Sequence, residues 1–138
     1  MGVPRIVLDT HVVLDLWVFR DPGARALLEA LVAESVIALR SEACDAELDD
    51  VLRRPRFAAR ADPATILAQW RALAQPVARV VPAPWTCTDP DDQKFLDLAF
   101  SGGAAFLLTK DRALLRVARR ARPAALRIVE PGRAGICA

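Results

Sequence analysis

The chain has 138 residues, with 19 Lys plus Arg against 17 Asp plus Glu and a net charge of +2. That length predicts a single domain over residues 1–138 with a core of its own, and a 54% hydrophobic content excludes a disordered chain. One histidine, His11, excludes multi-histidine zinc sites, and three scattered cysteines (Cys44, Cys87 and Cys137) with no C-x-x-C spacing indicate neither a disulfide framework nor a zinc knuckle.

The apolar pattern alternates strands with helices. Val3 to Leu8 is a short β-branched run that predicts a buried strand. Thr10 to about Phe19 reads as a helix with Val13, Leu14, Trp17 and Val18 on one face. Pro22 suits the first turn of a second helix reaching Glu34. Ser35 to Leu39 predicts the second strand, and Ser41 an N-cap for a helix through Arg54 that Pro55 helps to stop. Pro63 to Gln75 predicts a helix with Ile66, Leu67, Trp70 and Leu73 inward, and Val77 to Val81 a third strand.

A proline-rich connection leads to a helix opened by Asp91 and ended by Gly102 and Gly103. Ala105 to Thr109 predicts a fourth strand, Asp111 the start of a long helix to Arg122, and Leu126 to Val129 a fifth strand. The tail after Pro131 is expected to be peripheral. The pattern is α/β: a three-layer α/β/α fold on a mostly parallel sheet of about five strands. No run approaches about 18 apolar residues, so no membrane span is expected, and the cysteine usage suits a reducing, cytoplasmic setting. The N-terminus has neither a signal-peptide pattern nor, with Ile6 at the sixth position, a myristoylation pattern.

The informative residues are acids. Asp9 directly follows the first strand, Asp111 follows the fourth, Asp91 and Asp92 open a helix, and Glu47 lies inside another. Ligands of open parallel sheets bind beyond the carboxyl ends of the strands. Each acid also has a plainer reading, as a helix cap or an exposed helix glutamate. If Asp9, Glu47, Asp92 and Asp111 converge, two of them roughly 5 Å apart repel by about 3 kcal/mol at an effective dielectric of about 20. Protons, a basic side chain such as Lys110, or divalent cations would then be needed. An all-oxygen set favours Mg²⁺ or Mn²⁺, which suits phosphate-ester chemistry.

These segments resemble the PIN-domain ribonucleases. The resemblance runs through Ile6-Val7-Leu8-Asp9-Thr10, through Ser41 to Leu48 with Val51 to Phe57, through Asp89 to Ala99, and through Gly103 to Asp111. It covers roughly residues 3 to 130, and within the family it is nearest the toxin components of bacterial toxin–antitoxin pairs. It implies a Mg²⁺- or Mn²⁺-dependent endoribonuclease leaving 5′-phosphate ends. Asp9, Glu47, Asp92 and Asp111 are then the catalytic, metal-binding acids, with Asp91 lining the site and the alternative to Asp92. Thr10 and Thr109 match hydroxyl positions lining the site. His11 stands where the family usually has Asn; lining the site, ligating a metal or packing in the first helix are its three readings. The resemblance further implies an RNA substrate, a cognate antitoxin protein as partner and a homodimer.

RNA must also be gripped. Arg112, Arg116, Arg119, Arg120 and Arg122 form one basic group, and Arg53, Arg54, Arg56 and Arg60 another; either contacts phosphates or is a solvated face. Trp17, Trp70, Trp85 and the phenylalanines read as core. Rival readings are a receiver or dehalogenase-like phosphatase, which the His at position 11 and the missing early acid pair disfavour, and a PIN-like RNA- or protein-binding module with weak or no catalysis.

Overall fold

Strands form where β-branched and leucine-rich runs can be buried on both faces, and helices cover those faces. The computed structural model describes residues 2–133; Cys137 and the end of the expected peripheral tail lie outside the described residues. In chain order the elements are β1 (Arg5–Leu8), α1 (Thr10–Trp17), α2 (Arg25–Val32), β2 (Ile37–Arg40), α3 (Glu42–Leu52), α4 (Pro55–Ala58), α5 (Pro63–Leu73), β3 (Gln75–Pro76), α6 (Gln93–Gly102), β4 (Phe106–Leu108), α7 (Arg112–Leu115), α8 (Ala118–Ala121) and β5 (Arg127–Val129). The five strands form one sheet in the order β3-β2-β1-β4-β5, every pairing parallel. The chain is therefore α/β, with helices on both faces of a parallel sheet.

Side-chain alternation along the strands produces the layers. Ile6 and Leu8 of β1, Ala38 of β2 and Leu108 of β4 pack into one cluster with α1, α2, α3 and α5. Val7, Leu39, Leu107 and Ile128 face the other way, onto α6, α7 and α8. Trp17 and Trp70 meet edge to face at 6.0 Å in the first cluster, and Trp85 is buried in the second. Among the described residues no helix is long and apolar enough to cross a membrane.

Three expectations from the sequence change. The third strand is Gln75–Pro76 rather than Val77 to Val81. Val77 still donates to the Arg40 carbonyl at 2.9 Å, but Val81 turns away and donates to the Ser101 hydroxyl at 2.8 Å. Pro76 has no N–H, so β3 stays a short edge strand. The long helix after Asp111 is broken into α7, α8 and a 3₁₀ turn at Arg122–Ala124. The ladder tightens there: Val117 donates to Leu114 and Arg120 to Val117, both three residues back at 3.0 Å. The break keeps Leu114, Val117 and Ala121 on the sheet, and Arg112, Arg116 and Arg120 no longer share one continuous helix face. Pro55 also does more than stop α3, since it begins α4. Further 3₁₀ turns at Pro22–Ala24 and Pro90–Asp92 precede α2 and α6.

Candidate active site

Parallel pairing puts the carboxyl ends of β1 and β4 side by side, with Leu8 in register with Leu108. The chain leaves β1 at Asp9 and β4 at Thr109. Asp9 is 4% exposed and accepts from the Val12 amide at 2.9 Å, capping α1. Its other oxygen accepts from the Thr109 hydroxyl. Burial raises the Asp9 pKa; the Thr109 and Val12 bonds and the nearby His11 pull it back, while Asp111 adds to the rise.

Thr109 is fully buried, and its hydroxyl also accepts from the Asp111 amide at 2.9 Å. Asp111 in turn caps α7 by accepting from the Ala113 amide at 2.8 Å. Asp9 and Asp111 are thus helix caps and cavity acids at once, so the two readings from the sequence do not compete.

Glu47 projects from α3 with both oxygens engaged. Oε2 accepts from the Thr10 hydroxyl, and Oε1 lies 2.6 Å from the Lys94 ammonium of α6. Lys94 and Glu47 are only 24% and 25% exposed, so this pair is poorly screened. Lys110, which the sequence offered as a counter-charge, points elsewhere and pairs with Asp15 at 2.9 Å. Lys94 takes that role instead. Its position within Asp91-Asp92-Gln93-Lys94 gives no sign of this, because Glu47 reaches it from a helix 47 residues earlier.

Asp92 ends the 3₁₀ turn before α6 and makes no side-chain cap bond. Its Oδ2 is buried and receives no donor. Burial first, then the facing Asp111, Asp89 and Glu47, push its pKa up to about 7. Asp91 is exposed, its amide is held by Asp89 at 3.0 Å, and it does not line the cavity.

Asp9, Glu47, Asp92 and Asp111 line one cavity of about 390 Å³, together with the buried Thr10 and the exposed His11. Val51, Phe57 and Phe95 supply its apolar wall, and Arg54 and Arg56 also border it. Two larger hollows, about 780 and 1150 Å³, contain none of the four acids. Chemistry rather than size therefore marks the smaller one.

Among the described residues, no three His, Cys, Asp or Glu side chains form a ready-made cation site. Protein donors hold Asp9 and Glu47 in the arrangement seen. The donor set nonetheless fits a hard divalent ion. All four groups are carboxylates, the bonded oxygens of Asp9 and Glu47 keep lone pairs beyond the bond each accepts, and Asp92 Oδ2 has no partner.

A family model described as PIN domain matches residues 5–113, which include all four acids. No curated protein matches the chain.

Proposed function

This chain belongs to the PIN-domain family, which is of nuclease type, and from that membership we propose that it is a metal-dependent endoribonuclease acting as the toxin of a toxin–antitoxin pair. The proposal takes residues 1–138 as one PIN-like domain, cytoplasmic, dimeric, with RNA as substrate and an antitoxin protein as partner. One observation carries the activity: four acids from distant parts of the chain line a single cavity, one of them with a buried oxygen that lacks a donor.

Asp9, Glu47, Asp92 and Asp111 would hold Mg²⁺ or Mn²⁺. Such an ion supplies positive charge against the phosphate oxygens and makes a nearby water a better nucleophile. The chain's own contribution is orientation. Thr109 fixes Asp9 and Asp111 relative to each other, and Thr10 with Lys94 fixes Glu47. The apolar wall of Val51, Phe57 and Phe95 limits water on one side. Water adds to phosphorus and the P–O3′ bond breaks, leaving a 5′-phosphate and a 3′-hydroxyl.

The test is cleavage of single-stranded RNA with Mg²⁺ or Mn²⁺ by wild type, Asp9→Asn and Asp92→Asn. Loss of cleavage in both folded variants supports the assignment; undiminished cleavage in both refutes it. A binding module with little catalysis is the second reading, favoured by the protein donors already on Asp9 and Glu47. Mn²⁺ titration separates the two, since only an ion-holding cluster gains thermal stability with added Mn²⁺.

A further inference from the structure

The fold sorts the two arginine groups of the sequence. From the first, Arg53 pairs with Asp49 at 2.9 Å, and the Arg60 guanidinium lies 4.9 Å from the centre of the Phe19 ring. Neither borders the acid cavity. Arg54 and Arg56, where α3 gives way to α4, both do. None of the second group borders it, and Arg120 is turned toward the Thr86 carbonyl at 3.3 Å.

The two cavity arginines are available for a ligand. Arg54 meets Asp50 at 3.3 Å, but their side chains are 60% and 75% exposed, so solvent makes this pair easy to exchange. The Arg56 guanidinium sits 5.3 Å from the centre of the Phe57 ring, and Phe57 is buried and fixed. That shelf pre-orients a weakly hydrated, planar donor suited to phosphate oxygens. The acids of the same cavity repel a polyanion, so a strand lying across them needs positive anchors beside them.

We propose that Arg54 and Arg56 form a subsite for a backbone phosphate flanking the bond to be cleaved in single-stranded RNA. The inference rests on the nuclease reading above for the identity of the strand. It goes beyond that reading in assigning the grip to these two arginines and not to Arg53, Arg60 or the group from Arg112 to Arg122. An acidic protein segment would use the same charges, but the arginines share their cavity with the acid cluster, which favours the nucleic acid.

The experiment is binding of a short fluorescein-labelled single-stranded RNA, followed by anisotropy in chelator at several salt concentrations. Arg54→Ala and Arg56→Ala are each expected to weaken binding about tenfold, as for a lost charge-assisted hydrogen bond. Each should also flatten the dependence of log affinity on log salt by about 0.7. Arg53→Ala and Arg60→Ala should stay within about twofold of wild type, as for ordinary surface changes. In cleavage assays the two cavity variants should raise KM and leave kcat in place. All four arginines are exposed, and circular dichroism checks that each variant folds.

Unchanged RNA affinity and salt slope in Arg54→Ala and Arg56→Ala overturn the subsite, and so does a loss confined to binding of a polyglutamate peptide. Equal losses in all four variants overturn it as well. Wild type that binds RNA through Arg54 and Arg56 yet cleaves nothing with Mn²⁺ sustains the two arginines as a backbone-phosphate site, while the nuclease reading and the neighbouring scissile bond fall. Cleavage indifferent to both arginines does the reverse.

Discussion

Thr109 and Asp9 lie 100 residues apart and share a buried hydrogen bond at the ends of adjacent strands. The same hydroxyl accepts from the Asp111 amide, so one oxygen sets the spacing of two acids. Thr109→Val keeps the shape but leaves the buried Asp9 oxygen and the Asp111 amide short of a partner. The expected cost is about 1–3 kcal/mol in urea unfolding, the usual penalty for an unpaired buried polar group. Thr109→Ser should recover most of it, and Mn²⁺-dependent cleavage should follow the same order.

Asp92 makes the metal-free protein sensitive to pH. Its pKa stands near 7 in the folded chain, against an ordinary 3.8, chiefly because burial disfavours the charge. The folded state then binds the Asp92 proton more tightly than the unfolded chain. Protonation favours folding, so this contribution is complete below the unfolded value and is lost as pH rises through about 7. In chelator, urea midpoints should fall between about pH 4 and about pH 7 and level off above that, and Asp92→Asn should flatten that fall. Added Mn²⁺ should restore wild type at the higher pH and leave Asp92→Asn unmoved. A flat wild-type profile would show that this carboxyl titrates normally.

The sheet was legible because its signal is local. Ile6-Val7-Leu8 and Phe106-Leu107-Leu108 are apolar runs of strand length, and each is ended by a polar residue, Asp9 or Thr109, that marks the end of the strand. The acids were legible for a related reason, since a parallel sheet collects its strand ends on one edge. What stayed hidden depends on side chains from separate elements. The break at Val117 replaces one helical bond pattern with another that keeps the same residues buried, so hydrophobic spacing cannot reveal it. Local sequence cannot separate Asp91 from Asp92 as the cavity-lining residue, because the 3₁₀ turn that exposes one and buries an oxygen of the other is set by packing.

Trp70 shows how the helices around the site are held. Its indole N–H donates to Asp45 Oδ1 at 3.1 Å, and Asp45 Oδ2 pairs with Arg40 at 2.8 Å. This ties α5 to α3 and to the end of β2. Trp70→Phe should cost about 1–3 kcal/mol, through lost packing and one lost partner for Asp45. RNA cleavage at a temperature where the variant is folded should be unchanged, because neither Trp70 nor Asp45 borders the acid cavity. A large fall in kcat for folded Trp70→Phe would contradict that separation.

Lys94 and Lys110 provide the sharpest contrast, because both lie beside motif acids and only one reaches a cavity acid. Lys94→Met removes the partner of one oxygen of the three-quarters-buried Glu47 side chain and leaves its charge stranded beside Asp92. A loss of about 1–3 kcal/mol is expected, above an exposed pair and below a fully buried one. Lys94→Arg should keep part of it by retaining the charge. Lys110→Met breaks a pair whose lysine is 55% exposed, and a change within about 1 kcal/mol is expected. Thermal melts of the three variants in chelator measure the difference. If Lys110→Met proves as costly as Lys94→Met, the counter-charge has been assigned to the wrong lysine.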